Sequence, residues 1–514
     1  MSVRIDSAAL SGLEAASVVV EIDSFPGLHF FNIVGLPDKS VEESKDRIDS
    51  AIRNSGYANP KSKNLRLVVN LAPADIRKEG SLLDLPIALG YLVATSQIKL
   101  SADKSRLFIG ELSLDGSLRA VSGVLPITLL ARRAGFDEII VPKENAAEAS
   151  LVKDIDVIAA NNLKEIGAYL QGELSIKPEN FSSHLLSHES EEEHGIDFAN
   201  IRGQETGKRA LLIAAAGGHN VLMYGPPGSG KTIMAKALRG ILPDMNYEEA
   251  IAVTSIYSVA GMTKNKALIN KRPFRNPHHT TSAPAIIGGG NIPRPGEVSL
   301  AHRGVLFLDE LPEFPRNVLE GLRQPIEDGM VTVSRAAGSS RFPAEFMLVA
   351  SMNPCPCGHY GDEHIPCSCL PGAVLKYKKR ISGPLLDRID LQVFVSQETY
   401  AKLSQTEQAE SSKEMKKKVD FARQFQADRL KKYGLLTNAQ INLKNIQEIC
   451  PLSSTAESSL ALIMEKQHLS GRGYHRLLKI ARTIADLDHS PVIQKEHLTE
   501  AVNFKLPSLG GGMI

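Results

Sequence analysis

The sequence predicts a multidomain α/β protein that ends in an all-helical region, and three observations carry that expectation. A chain of 514 residues exceeds what one hydrophobic core organises, so two or three domains follow. Short β-branched runs alternate with amphipathic stretches twice over, across residues 1–175 and again across 198–395. A glycine-rich pattern, Gly225 to Thr232, stands in the second region between an apolar strand and a helix-forming run.

In the first region, Ala16 to Ile22, Phe30 to Val34, Leu65 to Asn70 and Glu138 to Val141 read as strands. Helices are expected at Ser40 to Ser55, where Val41, Ser44, Ile48 and Ile52 form a stripe, and at Leu125 to Ala134, giving a two-layer α/β domain over 1–175. Residues 176–197 read as a linker, because Pro178 to Gly195 is rich in Ser, His and Glu and includes the acidic run Glu189 to Glu193. Residues 198–395 show the alternation of a mainly parallel sheet. Residues 396–514 pass through a polar segment into helical patterns at Met415 to Tyr433, Thr455 to Gln467 and Tyr474 to Leu487. The charge run Lys416 to Lys418 is read as a solvated helix face.

Composition narrows the function classes. A hydrophobic share of 43% and a charged share of 23% are those of a folded globular chain. No apolar run reaches the roughly 18 residues of a spanning helix, and Asp6 and Glu14 interrupt the N-terminus, so a cytoplasmic location and no membrane partner are expected. The net charge of +1 leaves any nucleic-acid contact to local basic patches. Four of the five cysteines lie between Cys355 and Cys369, which suits a local metal clip, while Cys450 reads as packed.

The chemistry concentrates in the second region. Gly225, Pro226, Pro227, Gly228, Ser229, Gly230, Lys231 and Thr232 spell a P-loop: the glycines let backbone N–H groups face phosphate, Lys231 neutralises the β and γ phosphates of ATP, and Thr232 ligates Mg2+. Val305 to Leu308 is an apolar strand that ends in Asp309, suited to Mg2+, and Glu310, suited to polarising water. A strand over Phe346 to Ser351 leads to Asn353, whose amide can contact the γ-phosphate, although Asn before Pro354 is also an ordinary turn choice. Arg388, in SGPLLDRID, suits stabilising charge on phosphoryl oxygens, with an ion pair to Asp387 or Asp390 as its rival role.

Cys355, Cys357, Cys367 and Cys369 form C-x-C-x9-C-x-C, near enough to enclose one structural Zn2+, with His359 and His364 as possible substitutes and free thiols as the alternative.

GPPGSGKT, FRNPHHTTS, AHRGVLFLDELPEF, MNPCPCG and SGPLLDRID together resemble the YifB/ComM family of magnesium-chelatase-like AAA+ proteins, as do GLPDKSVEESKDRI and GRGYHRLLKIARTIADL toward the two ends. The resemblance implies a homo-hexamer promoted by ATP or DNA, with Asn353 as sensor 1, Arg388 as an arginine finger and Arg472 as sensor 2, Arg476 being the alternative. It also implies an AAA+ core with a β-hairpin inserted in its second helix, another hairpin over Val331 to Phe346, and a C-terminal helical lid. Cations assigned to the first insert (Lys264, Lys266, Lys271, Arg272) and to the second hairpin (Arg335, Arg341) are candidate phosphate-backbone contacts. The N-terminal domain resembles the Lon protease domain in FIGELSLDGSLRAVSG, but Ser81 stands one position early and LPITLLARR carries no lysine, so it is expected to be non-proteolytic. The family's function implies an ATP-driven DNA motor (helicase or branch migration, on single-stranded, branched or three-stranded DNA) serving natural transformation and homologous recombination. Remodelling of a protein partner is the alternative.

Overall fold

Burial of β-branched side chains on both faces of a central sheet organises the middle of the chain, and the other two parts build on its flanks. The computed structural model describes residues 2–62, 64–78, 80–101, 103–179, 195–263, 267–290, 293–335, 338–361, 365–398 and 409–504. Most of the acidic linker, together with Lys264, Lys266 and His364, therefore lies outside the described residues.

The N-terminal region opens with β1 (Val3–Ser11) and β2 (Glu14–Pro26), antiparallel from Val3↔Ile22 to Ser11↔Glu14. With β3 (Phe30–Val34) and β4 (Leu65–Ala72) they form a sheet of order β1-β2-β4-β3, in which β3 and β4 run parallel. Asp38 caps α1 (Lys39–Asn54) through the Val41 N–H, and the helix buries the predicted stripe of Val41, Ser44, Ile48 and Ile52. Against β1 and β2 lies α2 (Asp84–Ala94), buried from Asp84 to Leu92, a helix that periodicity does not reveal because it is apolar on every face. A second, parallel sheet has the order β5-β8-β9: β5 is Arg106–Phe108, and β8 (Glu138–Pro142) and β9 (Asp156–Ala160) follow the small hairpin of β6 (Glu111–Leu112) and β7 (Leu118–Arg119). Around it stand α3 (Val124–Ala134), α4 (Ala146–Ala149) and α5 (Leu163–Leu170).

In the central region, α6 (Glu205–Gly217) leads to β10 (Val221–Tyr224), the P-loop and α7 (Lys231–Ala237). Then α8 (Tyr247–Val259) docks on α3 of the N-terminal region. Glu148 of α4 crosses that junction, accepting from the Leu125 N–H, the Ser258 hydroxyl and the Thr263 hydroxyl; burial still raises its pKa. The core sheet is all parallel, with β11 (Phe274–Arg275), β14 (Val305–Leu308), β17 (Met347–Met352), β10 and β18 (Leu391–Phe394) in the order β11-β14-β17-β10-β18. Its strands are near-continuous apolar runs because both faces are covered.

Two hairpins project from this core. One, β12 (Gly288–Gly289) with β13 (Arg294–Pro295), stands between the short helices α9 (Ala283–Ile287) and α10 (Glu297–Leu300). The hairpin thus stands well after Lys271 and Arg272, which were assigned to it, and those two residues instead lie just before Phe274 and Arg275, the edge strand of the core sheet. Strands of two residues carry no readable period, so the sequence pattern is silent there. After α11 (Arg316–Gly321) and α12 (Arg323–Asp328), β15 (Met330–Arg335) and β16 (Gly338–Pro343) form the second hairpin, starting one residue before the predicted span and ending three residues short of it. Beyond β17 come α13 (Pro371–Lys378) and α14 (Gly383–Leu386).

The C-terminal helices α15 (Ser412–Leu430), α16 (Ser454–Lys466) and α17 (Gly471–Leu487) lie near the predicted ranges, and α18 (Lys495–Asn503) is a further helix for which no range was expected. Cys450 is buried among them. A buried polar chain fastens them to the core. Asp486 accepts from Arg429 (2.7 Å), Asn438 (2.8 Å) and Arg482 (2.9 Å), and His219 bridges Thr483 (2.8 Å) to Asp390 (3.1 Å). Every buried charge in it has a partner, which is the condition for such a network to persist.

Candidate nucleotide site

Parallel strands deliver their C-terminal ends to one edge, and the P-loop, Asp309 and Asn353 all follow directly from such ends. The P-loop can sit this close to β18 only because Gly225 lacks a side chain: a Cβ there would lie 2.0 Å from the Val395 carbonyl oxygen. Lys231 is buried, and its ammonium donates to the carbonyls of Gly225 (2.8 Å) and Pro226 (2.7 Å) and to Ser229 Oγ (3.2 Å). Burial lowers its pKa and the Asp309 carboxylate opposes that shift, so the loop concentrates a poorly solvated cation.

Thr232 Oγ1 donates to Asp309 Oδ2 at 2.9 Å, which brings two oxygen ligands together across 77 residues of sequence. Hard oxygen donors at one point suit Mg2+. The other Asp309 oxygen accepts from Ser351 Oγ, a positioning contact that sequence reasoning missed. Glu310 is more than half exposed and adopts φ 55°, a left-handed conformation that costs a non-glycine residue about 1–2 kcal/mol. Its N–H donates toward Asp309 Oδ1 (3.2 Å) and Ser351 Oγ (3.3 Å), contacts that help hold this strained turn. His279 Nδ1 lies 3.5 Å from Glu310 Oε2, and its ring stacks on His278 at 4.1 Å.

Over residues 197–403 the chain matches the family described as "Magnesium chelatase, subunit ChlI"; residues 20–145 match "Subunit ChlI of Mg-chelatase" and residues 409–505 its C-terminal family. It is 43% identical over 502 residues to Competence protein ComM of Haemophilus influenzae, covering 97% of this chain and 96% of that protein. Uncharacterized protein YifB of Escherichia coli K12 is 42% identical over 501 residues, with the same two coverages. The chain belongs to the YifB/ComM family of magnesium-chelatase-like AAA+ proteins. A more distant similarity, 30% over 175 residues, links it to the magnesium-chelatase 38 kDa subunit of Rhodobacter capsulatus, covering 30% of this chain and half of that protein.

In this YifB/ComM-family fold the remaining arginines stand elsewhere. Arg388 lies before the start of β18, where Leu391 pairs with Val221, the first residue of β10. Roughly 13 Å of strand separates that end of the sheet from the P-loop. Arg388 is bound by Glu327 and by the Pro384 carbonyl (2.7 Å), rather than by Asp387 or Asp390. Arg472, exposed at the first turn of α17, adds its charge to the field that lowers the Glu327 pKa, after the Arg388 hydrogen bond that dominates it. Arg476 is taken up by the Ile389 carbonyl (3.2 Å).

The four cysteines Cys355, Cys357, Cys367 and Cys369 converge, with every Sγ within 4.8 Å of the others. Separations of 3.3, 3.5 and 3.7 Å approach the roughly 3.8 Å edge of a tetrahedral zinc-thiolate site with Zn–S near 2.3 Å. Gly358 places this knuckle against the P-loop: a Cβ there would lie 2.6 Å from Pro227 Cδ.

The candidate DNA cations are divided by the fold. Arg272 is corrected from a DNA contact to a structural node, since it pairs with Glu249 (2.9 Å) and donates to the carbonyls of Pro243 (2.6 Å) and Arg303 (2.7 Å). Arg275 pairs likewise with Glu297 (2.6 Å). Lys271 is half-buried beside Arg272. On the second hairpin, Arg341 is exposed opposite Thr332, and Arg335 is paired in register with Gly338. Arg294 on β13 is an exposed cation that the sequence reading passed over; PRPGE beside a glycine run was its only signal.

In the N-terminal region the Ser81 hydroxyl is engaged by Glu111 and the buried Lys78 ammonium by the Pro73 carbonyl. Among the described residues no helix is long and apolar enough to cross a membrane.

Proposed function

We propose that this chain is a cytoplasmic, hexameric, ATP-hydrolysing DNA motor that moves branched or three-stranded DNA, in line with the competence role in the name of its Haemophilus relative. The observation that carries the reading is a division of the site: Lys231, Thr232, Asp309, Glu310 and Asn353 share one sheet edge, while Arg388 stands at the opposite end, with the charge of Arg472 reaching the same Glu327. One subunit then offers Lys231 to the phosphates but no arginine to the γ-phosphate, and a neighbour that supplies one makes a heterologous, ring-forming contact. Lys231 binds phosphate, Thr232 and Asp309 hold Mg2+, Glu310 orients and deprotonates water, and Asn353 contacts the γ-phosphate. Arg388 acts as the finger, and Arg472 rather than the engaged Arg476 as sensor 2.

Both hairpins, carrying Arg294, Arg335 and Arg341, are proposed to line the pore and hold the phosphate backbone with little base readout. The four cysteines would hold a structural Zn2+ that fixes the knuckle. The N-terminal domain, Lon-like and non-proteolytic, is proposed to brace the core through α8.

The test is the ATPase rate without DNA, with linear single strand and with a synthetic branched junction, alongside Lys231→Ala and Glu310→Gln. Stimulation by DNA that both variants abolish supports the motor. A Lys231-dependent rate indifferent to every DNA transfers the assignment to remodelling of a protein partner, the reading that the magnesium-chelatase similarity favours.

A further inference from the structure

Helix α13 presents two faces with different chemistry. Val374 and Tyr377 are buried, whereas Lys376, Lys379 and Arg380 are exposed on the opposite side, three and four residues apart and so neighbours on the surface. Those three cations and Arg316 line a cleft of about 540 Å³ whose floor includes Glu313 and Phe314. Its one lining carboxylate, Glu313, is already paired with Arg380 at 2.6 Å, and among the described residues Arg316, Lys376 and Lys379 make no ion pair. Apolar surface adjoins the cations along the same stretch: Leu370 is 77% exposed, Leu375 47% and Tyr360 44%, with Lys378 4.9 Å from the Tyr360 ring centre. Free cations in an open cleft beside exposed rings and methyls are what a single strand's phosphates and bases engage.

The buried face meets the nucleotide site. Tyr377 is buried in the same apolar cluster as Met352, the residue before Asn353, and its hydroxyl lies within the field of Glu313 and Glu310, while burial is the main reason its pKa is pushed up to about 12. Glu313 is three residues beyond Glu310 in the same short segment.

We propose that this cleft, outside both hairpins, is a phosphate-backbone site for single-stranded nucleic acid, and that α13 carries its occupancy to Asn353 through Tyr377. The inference rests on the DNA-motor reading. Full-length protein is titrated with a labelled single strand across a salt series, as wild type, as Lys376→Ala with Lys379→Ala, as Lys376→Arg with Lys379→Arg, and as Tyr377→Phe. Each protein's DNA stimulation of ATPase is taken relative to its own DNA-free rate.

The slope of log K against log salt is expected to fall by about 1.4 in the double alanine variant, roughly 0.7 per lost contact, and to be kept by the double arginine variant. Tyr377→Phe is expected to keep the slope and lose the stimulation. A wild type that binds no strand removes the motor reading itself. A wild type that binds, with an unchanged slope in the double alanine variant, overturns this site alone. Loss of assembly on sizing with an unchanged slope also overturns it, and assigns the cleft to an acidic surface of a neighbouring subunit.

Discussion

His279 and Glu310 meet across 3.5 Å, although His279 belongs to the segment between β11 and the inserted hairpin and Glu310 lies two residues beyond the end of β14. The ring is further held by His278 stacking and by the edge of Phe314 at 6.4 Å. On the proposed role of Glu310, His279 is predicted to position the carboxylate and tie it to the element that precedes α9.

His279→Ala is expected to lower kcat about tenfold with the KM for ATP unchanged, because orientation rather than ground-state binding is lost. The ratio of DNA-stimulated to basal rate should fall toward one. Steady-state kinetics with and without DNA decide it, and a raised KM alone would sink the positioning role.

Arg388→Ala should bind nucleotide normally and lose turnover by a factor of about 10³. Mixing it with Lys231→Ala subunits should restore part of the rate, since one variant keeps the P-loop and the other keeps the finger. No recovery on mixing, with both variants assembled, would place Arg388 outside the neighbour's site.

Gly358→Ala forces a side chain toward Pro227 at a position with φ 90°. A destabilisation of about 1–2 kcal/mol and a raised KM for ATP are expected. Metal analysis of the purified protein should return one Zn2+ per chain, and Cys357→Ser should lose it.

His302 accepts the Glu345 N–H on Nδ1 at 3.1 Å, and burial, aided by the nearby charges of Arg303 and Arg272, holds its pKa down to about 3. Its ring stays neutral in the fold down to that pH. The unfolded chain takes up a proton below about 6.5, so stability present above that value is lost on acidification through the window from 6.5 to 3, at up to about 1.4 kcal/mol per pH unit. His302→Gln, which keeps an acceptor, should show a shallower loss of urea stability between pH 7 and 5.

Asp486→Ala removes the carboxylate that compensates the fully buried Arg482 and also binds Arg429. A loss of about 3–5 kcal/mol is expected from the uncompensated charge, read as a lower unfolding midpoint of the C-terminal helices.

The nucleotide machinery was legible because its code is local: a P-loop, an apolar strand ending in Asp309 and Glu310, and Asn353 after another strand are contiguous patterns whose backbone geometry follows from neighbouring residues. The amphipathic stripe of α1 and the helical pattern of α17 were legible for the same reason. The apolar helix α2 and the two-residue strands β12 and β13 were not, since one has no polar face and the others no period. Tertiary structure alone decided which charge meets which. Arg272 goes to Glu249, Arg388 to Glu327 rather than to either adjacent aspartate, and His279 to Glu310, because these pairs depend on how strands order within the sheet. It also placed Arg388 at the far end of that sheet from Lys231, since parallel strands send all their C-terminal ends one way and leave whatever precedes a strand at the other, and it brought the charge of Arg472, from helix α17, to the same Glu327.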